Sequence, residues 1–586
     1  MKRKFLPLTI LMLTLSVTLV HAQVVTPGMG QSFTFQDFTT LSPATVTSPS
    51  AGHYTLLQDI TISAGDTLLL DANTREILCY NPITLTVHGC VLCAPRTDTL
   101  LITCNTSNCG SEFYEIRLDS AANSHFSDIL FEYGNDIQVM QSEVKFERCV
   151  FRYFKEQCIK YSNASPVIEY CNFYENRKAV ISSAANVTGA PKIRHNTFYH
   201  NVLNNINQPQ INLGPGALGD TIVIEDNHIE GSAAMSGGIA IANLLGVGHT
   251  QAAIRGNTVI HNRYGYTQQG PGIEALIEDN TFNDNNLETN PMNGGSGISI
   301  YGTDTTCKAK LRRNLITGNL WGVTAINKHS IDMGTAADPG NNCLFDNANG
   351  GVEYNLYNNA TNNIEAVGNF WGSNDSTYAE NVITHYTDNP QYGLVNYLPV
   401  LEIEPDILAF SIWYDEFYTG ELTTEAEFWF SPNGGDTLCY AFGCVFPDWS
   451  DIVPTITLPM WVTCTPDPSE GQNFMNGPVT YTLTTVDGRS KDWVIQVMFF
   501  PAVEDYEFLP VTVSPNPATS GRIVLHNDSE EAVQVEVYTL TGQKVYAGRC
   551  EEAQMVVNTS SWHSGIYLLK ASQNGRSRTF KVVVKP

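Results

Sequence analysis

Charge is scarce in this chain, and one sign of it is scarcer still. Only 16% of residues are Asp, Glu, Lys or Arg, and 32 basic residues face 59 acidic ones, for a net charge of −27. Nucleic acid and anionic membrane surfaces both want a basic face, so neither is an expected partner. Beyond residue 22 no apolar run is long enough to span a bilayer, which excludes a transmembrane segment in the mature protein. Cysteines number 14, modest for 586 residues. Cys90-x-x-Cys93 lacks a second half at suitable spacing, which argues against zinc. No zinc-protease motif and no convincing nucleophile setting occurs, so a protease or toxin has no support.

What is present is the composition of a folded protein, 42% hydrophobic and 10% aromatic. The length exceeds one ordinary core, so about two to four domains are expected. Met1-Lys2-Arg3-Lys4 is a basic start, Phe5 to Val20 an apolar stretch, and Val20-His21-Ala22 a small-residue cleavage site. Residues 1–22 read as a signal peptide; the alternative, a membrane anchor, fits the short run and polar sequel less well. Gln23 follows the cleavage point, which argues against a lipoprotein. Export makes disulfides the expected state of the cysteines, which crowd at Cys79, Cys90, Cys93, Cys104 and Cys109 and again at Cys439, Cys444 and Cys464.

From about residue 145 a unit recurs: apolar, two variable residues, Asn, any residue, apolar, two more, Asn. It reads Ile193-Arg194-His195-Asn196-Thr197-Phe198-Tyr199-His200-Asn201, and returns from Ile254, from Ile277 and, more loosely, from Leu311. The first Asn position falls at Cys149, Cys171, Asn196, Asn227, Asn257, Asn280, Asn314, Asn342 and Asn369, with steps of 22 (149 to 171) to 34 (280 to 314) residues. Units this short, rich in Asn, Gly, Ile, Val, Thr and Phe, make turns of a β-solenoid rather than helical repeats. Asn suits a left-handed turn, and stacked Asn side chains hydrogen-bond from rung to rung. The apolar position two later (Phe151, Phe173, Phe198, Ile229, Val259, Phe282, Ile316, Leu344) then stacks inward as a core column. The same register puts Glu147, Glu169, Arg194, Glu225, Arg255, Glu278 and Arg312 in one outward column, alternating in sign from Glu169 onward.

Two stretches carry a family resemblance. Ile60-Thr61-Ile62 with Gly65 and Thr67-Leu68-Leu69-Leu70, then Leu85-Thr86-Val87-His88-Gly89, resemble the first rungs of pectin-lyase-like β-helix proteins. Asn369-Phe370-Trp371-Gly372-Ser373 is similar to the segment that often ends them. The resemblance implies a right-handed parallel β-helix over 50–401, after a leader segment at 23–49. Residues 405–503 lose the repeat. Pro478 to Val497 reads strand, Asp487-Gly488 turn, strand, and resembles the Ig-like β-sandwich modules of Bacteroidetes surface proteins. Residues 511–586 resemble the type A C-terminal sorting domain of the type IX secretion system, a small β-sandwich. The motif is Ser514, Pro515, Asn516 and Pro517, then Gly565 and Tyr567, then Lys581 in the last strand. That resemblance implies the type IX machinery as a partner, and passage through the periplasm to the outer-membrane surface or the extracellular space. The fold class expected is therefore all-β throughout.

Enzymes of the β-helix superfamily announce themselves by short strings. Trp-Ile-Asp-His, Arg-x-Pro-x-x-Arg, Asn-Thr-Asp, Asp-Asp and Gly-His-Gly strings of the lyase and polygalacturonase kinds are absent. The candidate catalytic groups are weaker. Asp226 and Asp279 share a column two rungs apart, about 10 Å, near the upper end for an inverting carboxylate pair. His261 and Asp284 fall on neighbouring rungs of another column (Glu175, His200, Gly231, His261, Asp284), where a carboxylate-held imidazole would be a base and Gly231 would leave space. Solvated or stacked turn residues explain both sets, and are favoured. Arg194, Arg255 and Arg312 face out beside ladder carboxylates. Long steps mark insertions at Leu203–Thr221, Ala233–Gly248 and Leu287–Thr306, read as loops, near Tyr264, Tyr266, Tyr301 and Trp321, which could stack on sugars. No cofactor is called for, with Ca²⁺ the one ion the acidic surface would suit. The sequence therefore reads as an exported β-helix protein with a non-catalytic binding, adhesion or structural role toward extracellular polysaccharide or host surface glycans. The alternative is a divergent polysaccharide lyase or glycoside hydrolase.

Overall fold

The computed structural model describes residues 23–80, 82–105, 114–412, 450–499 and 509–585 apart from 519 and 530, with strand backbone also at 424–425, 427–430 and 437–443. The expected signal peptide, Cys109 and Cys444 lie outside the described residues. The chain divides into two compact units. One holds the residues up to Asp406 with Pro459–Thr463 and Thr484–Ser490; the other holds the remainder.

The first unit is a parallel β-helix. Short strands alternate one buried apolar residue with one outward polar residue, so each can pair on both edges and bury a single face. The strands form a 26-stranded and a 13-stranded sheet. The larger sheet is two stacks joined where Ser296–Arg312 and Trp321–Asp332 run around a corner, so each coil presents three faces. Pairing begins ahead of residue 50: Val24–Val25 and Ser32–Phe33 lie in register on Ile60–Thr61 and Thr67–Leu68, and helix Phe35–Leu41 buries Phe35 and Phe38 in the core.

The expected register holds. Phe131, Phe151, Phe173, Phe198, Ile229, Val259, Phe282, Ile316 and Leu344 pair in one fully buried column. Its phenylalanine rings stack at 4.7–4.9 Å between centroids. Beside it runs the asparagine ladder, which is buried. Asn257 Nδ2 donates to Asn280 Oδ1 at 2.9 Å and to the Ile224 carbonyl at 2.8 Å, while its Oδ1 accepts from the Asn227 amide at 3.1 Å. Cys171 extends the ladder, its amide donating to Asn196 Oδ1 at 2.8 Å. The left-handed residue is the one before each ladder position, not the Asn itself: φ is +53° at His195, Asp226 and Arg313 and +58° at Asp279. Asn suits the next position because its amide both donates to the buried carbonyls and accepts from the buried amides that the corner exposes.

A second ladder serves the next corner through Asn176, Asn201, Asn262, Asn285, Asn319 and Asn347. One rung, at Gly231-Ser232, has no Asn. Gln210 fills the gap from another strand: Asn201 Nδ2 donates to its Oε1 at 2.9 Å and its Nε2 donates to Asn262 Oδ1 at 3.1 Å.

Several expectations are corrected here. The three insertions are not plain loops, since they contain strands Gln208–Leu213, Ser236–Ala242 and most of Ser296–Arg312. Their inward Ile211, Ile239, Ile241, Ile298 and Ile300 are buried, so they form the third face. Tyr266 points into the core and donates to Gln268 Oε1 at 3.2 Å. Most described cysteines are free thiols, with Cys104 the disulfide-bonded one among them. Cys79, Cys149, Cys158, Cys171, Cys307 and Cys343 are buried as small apolar side chains, a use that needs no partner.

Residues 409–499 add a three-stranded and a five-stranded sheet. Asp487-Gly488 makes the turn between Val479–Thr485 and Ser490–Phe499, with Gly488 at φ +87°. The last domain pairs a three-stranded sheet (Val511–Ser514, Arg522–Asn527, Gln554–Asn558) with a four-stranded one (Lys544–Cys550, Val533–Thr539, Gly565–Gln573, Arg576–Val584) over its own core.

Two outcomes are expected. Asn280→Ala removes bonds to the Ile254 and Glu278 carbonyls and to Asn314, and strands the Asn257 amide. Guanidinium unfolding of the β-helix should show a loss of about 3 kcal/mol or more, and a loss near zero would refute the ladder's role. His329 is 1% exposed, lies beside Asn358 with neither ring nitrogen well bonded, and burial lowers its pKa from 6.5 to about 4. The unfolded chain takes up this proton below about 6.5 while the folded chain refuses it down to about 4. Stability should therefore be full above that window and fall by roughly 3 kcal/mol as pH drops through it. His329→Leu should flatten this part of the stability–pH curve.

Candidate functional site

The first face of the larger sheet carries the charge column. Glu147, Glu169, Arg194, Glu225, Arg255, Glu278 and Arg312 are in register, neighbour on neighbour. Arg255 Nε lies 2.7 Å from Glu278, and Arg194 lies 3.3 and 3.4 Å from Glu169 and Glu225. The one like-charged step, Glu147 over Glu169, is bridged by Lys145 at 3.0 and 3.2 Å. Arg312 does not face out: it is 3% exposed and its guanidinium donates to Asp332 and Asp338. Each charge in this column has a local counter-charge.

The candidate catalytic residues sit at the left-handed corners. Asp279 is clamped by Arg313, with Nε and Nη2 each 2.7 Å from a carboxylate oxygen. Asp226 lies 3.6 Å from His195 Nδ1, and its Oδ1 occupies the space over Gly256, where a Cβ would come within 2.1 Å of it. Asp284 likewise covers Gly318. The ion-pair partner of His261 is Glu230, at 3.6 Å, and Glu230 also lies 3.3 Å from His228 Nε2. Gly231 leaves no space beside His261, because a Cβ there would stand 2.3 Å from the His261 carbonyl. The sequence reading missed His228 and Glu230; Glu230 pairs across strands with Tyr199 and Ile260, a register readable from the repeat. Among the described residues, no group of three or more His, Cys, Asp or Glu is placed to hold a metal ion.

The third face is different. Its outward positions run Thr267, Ser299, Thr324, Tyr357 and Thr384 in one column, and Gln269, Tyr301, Ile326 and Asn359 in the next. Of these, Thr267, Gln269, Ser299, Thr324, Ile326, Tyr357 and Asn359 floor a furrow walled by Arg263, Tyr264, Trp321 and the loop Pro291–Gly294. It continues past Asn359 to Thr303, Lys328 and the segment Pro390–Leu394. Trp321 is fixed by its Nε1, which donates to the Pro291 carbonyl at 2.9 Å, and packs on Tyr354 and Tyr357 at 4.7 and 5.0 Å. The Tyr357 and Tyr392 hydroxyls are 3.2 Å apart. Burial, aided by Tyr392, pushes Tyr357 up to about 12, so it is a neutral phenol at physiological pH. Arg263 holds the wall: Nε donates to the Asn293 carbonyl at 2.7 Å and Nη1 to Asn207 Oδ1. Among the described residues that line this furrow none is Asp or Glu, in a chain that has 59 of them.

In the last domain Asn516 ties the opening segment to the last strand. Asn516 Nδ2 donates to the Lys581 carbonyl at 2.7 Å and its Oδ1 accepts from the Val583 amide at 2.9 Å. Ser514 lies 3.2 Å from His526, and Tyr567 donates to the His563 carbonyl at 2.9 Å. Gly565 pairs with Val584, and Pro515 and Pro517 bracket the stapling Asn516. Residues 512–585 match the family described as a secretion system C-terminal sorting domain. This segment is a type IX secretion sorting domain.

Such a domain means export by that system to the cell surface or the extracellular space. Residues 89–246 match the family described as a right handed beta helix region, and residues 266–378 match a protein family of unknown function, DUF1565. The chain thus joins a right-handed parallel β-helix to a sorting tail. No curated protein matches it. Among solved structures, a mutant of the periplasmic alginate epimerase AlgG is 11% identical, with 63% of this chain and 83% of that one covered, at a TM-score of 0.41. A mannuronic acid specific polysaccharide family 6 lyase from human gut microbiota is 13% identical, with 64% and 87% covered, at a TM-score of 0.35. Among the described residues no helix is long and apolar enough to cross a membrane.

Lys145 lowers the Glu147 pKa first by its hydrogen bond, so this carboxylate stabilises the fold above the ordinary value of 4.5 and ceases to as pH falls through the lowered one. Lys145→Met should therefore cost about 1 kcal/mol at neutral pH. The difference from wild type should vanish once both glutamates are protonated; an equal loss at all pH values would contradict the bridge.

Proposed function

We propose that this exported protein is a non-catalytic glycan-binding β-helix. The observation that carries the reading is the furrow: an open depression on a rigid sheet, walled by aromatic rings and floored by hydroxyls and amides. Pyranose rings offer an apolar C–H face to aromatic rings and hydroxyls to amides and alcohols, and such a furrow offers both. Two further features support it. Asp226, Asp279 and Asp284 each sit against a neighbour in the corner ladders, and the furrow lacks the paired carboxylates a glycosidase requires. Export by the type IX route brings such a surface into contact with extracellular polysaccharide.

Full-length secreted protein should be retained by at least one polysaccharide in affinity electrophoresis across a panel of neutral and uronate-containing polymers. It should produce neither reducing ends nor the ultraviolet absorbance of unsaturated uronates. Turnover that disappears in Glu230→Gln or His261→Ala would overturn the reading and place a catalytic centre at the second corner.

A further inference from the structure

We infer that the furrow takes an uncharged, extended pyranose chain lying along the β-helix axis, and not an acidic polysaccharide. This rests on the glycan-binding reading and goes further, because it names the ligand's charge and direction.

Direction follows from the repeat. The furrow floor repeats one uncharged side chain per rung, Thr267 to Ser299 to Thr324 to Tyr357, and the furrow continues to the segment beside Thr384. Three steps of about 4.8 Å make roughly 14 Å, and one step is close to the length of a sugar in an extended chain. A polymer laid along the axis meets the same kind of group at every unit; a polymer laid across it meets two or three and then leaves the floor. Trp321 and Tyr357 present ring surface at the middle of this track.

Charge follows from the lining. A polyuronate would set one carboxylate per sugar against this floor, and each would need a nearby cation to offset its desolvation. The furrow has two basic residues. Arg263 is committed to Asn293 and Asn207 at the wall. Lys328 has Asp304 within electrostatic range, a carboxylate held below its usual range first by its hydrogen bonds with Thr306 and, more weakly, by this lysine. No free cation stands at the middle of the floor, and the chain's charge of −27 repels a polyanion at long range. The first face shows what this protein does with charge elsewhere: it pairs every one. A floor that carries neither carboxylate nor cation suits a ligand that carries neither.

The test uses full-length secreted protein in affinity electrophoresis against two neutral probes, hydroxyethyl cellulose and galactomannan, and two acidic ones, polygalacturonate and alginate, each at low and high salt. Retention by a neutral probe, unchanged by salt, is expected. Trp321→Ala should weaken it by about ten-fold, the scale of one stacked aromatic. Because Trp321 also packs on its neighbours, Ser299→Trp is the second variant: it fills the floor from an outward position and should abolish retention without lowering the unfolding midpoint. Retention by the acidic probes alone, sensitive to salt and lost in Lys328→Ala, would overturn this inference while the glycan reading stands. Retention by a neutral probe that both Trp321→Ala and Ser299→Trp leave intact would place the site elsewhere and overturn it too. Retention by no polysaccharide would overturn both.

Discussion

The buried amide-to-amide hydrogen bond is the interaction on which this fold depends. A solenoid corner turns the backbone sharply and leaves N–H and C=O groups facing inward, away from water. Unpaired, each such group costs about 1–3 kcal/mol. An Asn at the corner answers two or three of them and passes one bond to the next rung, so the solution for one coil is the solution for all. Once the ladder fixes the corners, the stacking of Phe151 on Phe173 and Phe198 and the pairing of Glu225 with Arg255 follow from register alone. The Gly231 rung makes the point by exception. It has no corner Asn, and Gln210 reaches in from a different strand to keep the chain of bonds unbroken.

What the sequence revealed is what this ladder repeats. Spacing of Asn, of the apolar residue two later and of the alternating charges is periodic, and periodic features can be read without coordinates. The details the sequence hid are aperiodic. The left-handed position cycles through Tyr170, His195, Asp226, Gly256 and Asp279, with no shared chemistry beyond what each finds on the next rung. The third face was misread as insertions because its strands vary in length and carry Gly and Gln, yet Ile239, Ile241 and Ile298 point inward as on any other face. Cysteines were expected as disulfides on the strength of compartment, but Cys149 and Cys171 do the ladder's work as thiols.

The candidate site was legible only in fragments. Tyr264, Tyr301 and Trp321 were picked out by position near an insertion, and they do lie at or beside the furrow, whereas Tyr266 fills the core from two residues past Tyr264. Tyr264 lies before the strand that begins at Tyr266, so strand alternation does not relate the two side chains. Glu230 escaped notice for a different reason: its partners His228 and His261 come from its own strand and from the following corner, a pairing that spans two columns of the repeat.

The distribution of charge among faces is the last constraint, and it bears on function. A parallel stack of like charges at a spacing of about 4.8 Å is self-destructive, so any charged column must alternate or be bridged. The first face alternates, and where it fails to, Lys145 bridges. A column that neither alternates nor is bridged has one other option, which is to carry no charge. Thr267, Ser299, Thr324 and Tyr357 take it. For stability alone either option would serve on either face. The two options differ in what they leave available: a paired column has spent its groups on itself, while hydroxyls, amides and ring faces still have bonding capacity toward solvent. Along the furrow the uncharged column is therefore the one with groups to spare, and the ligand proposed for it inherits the rung spacing.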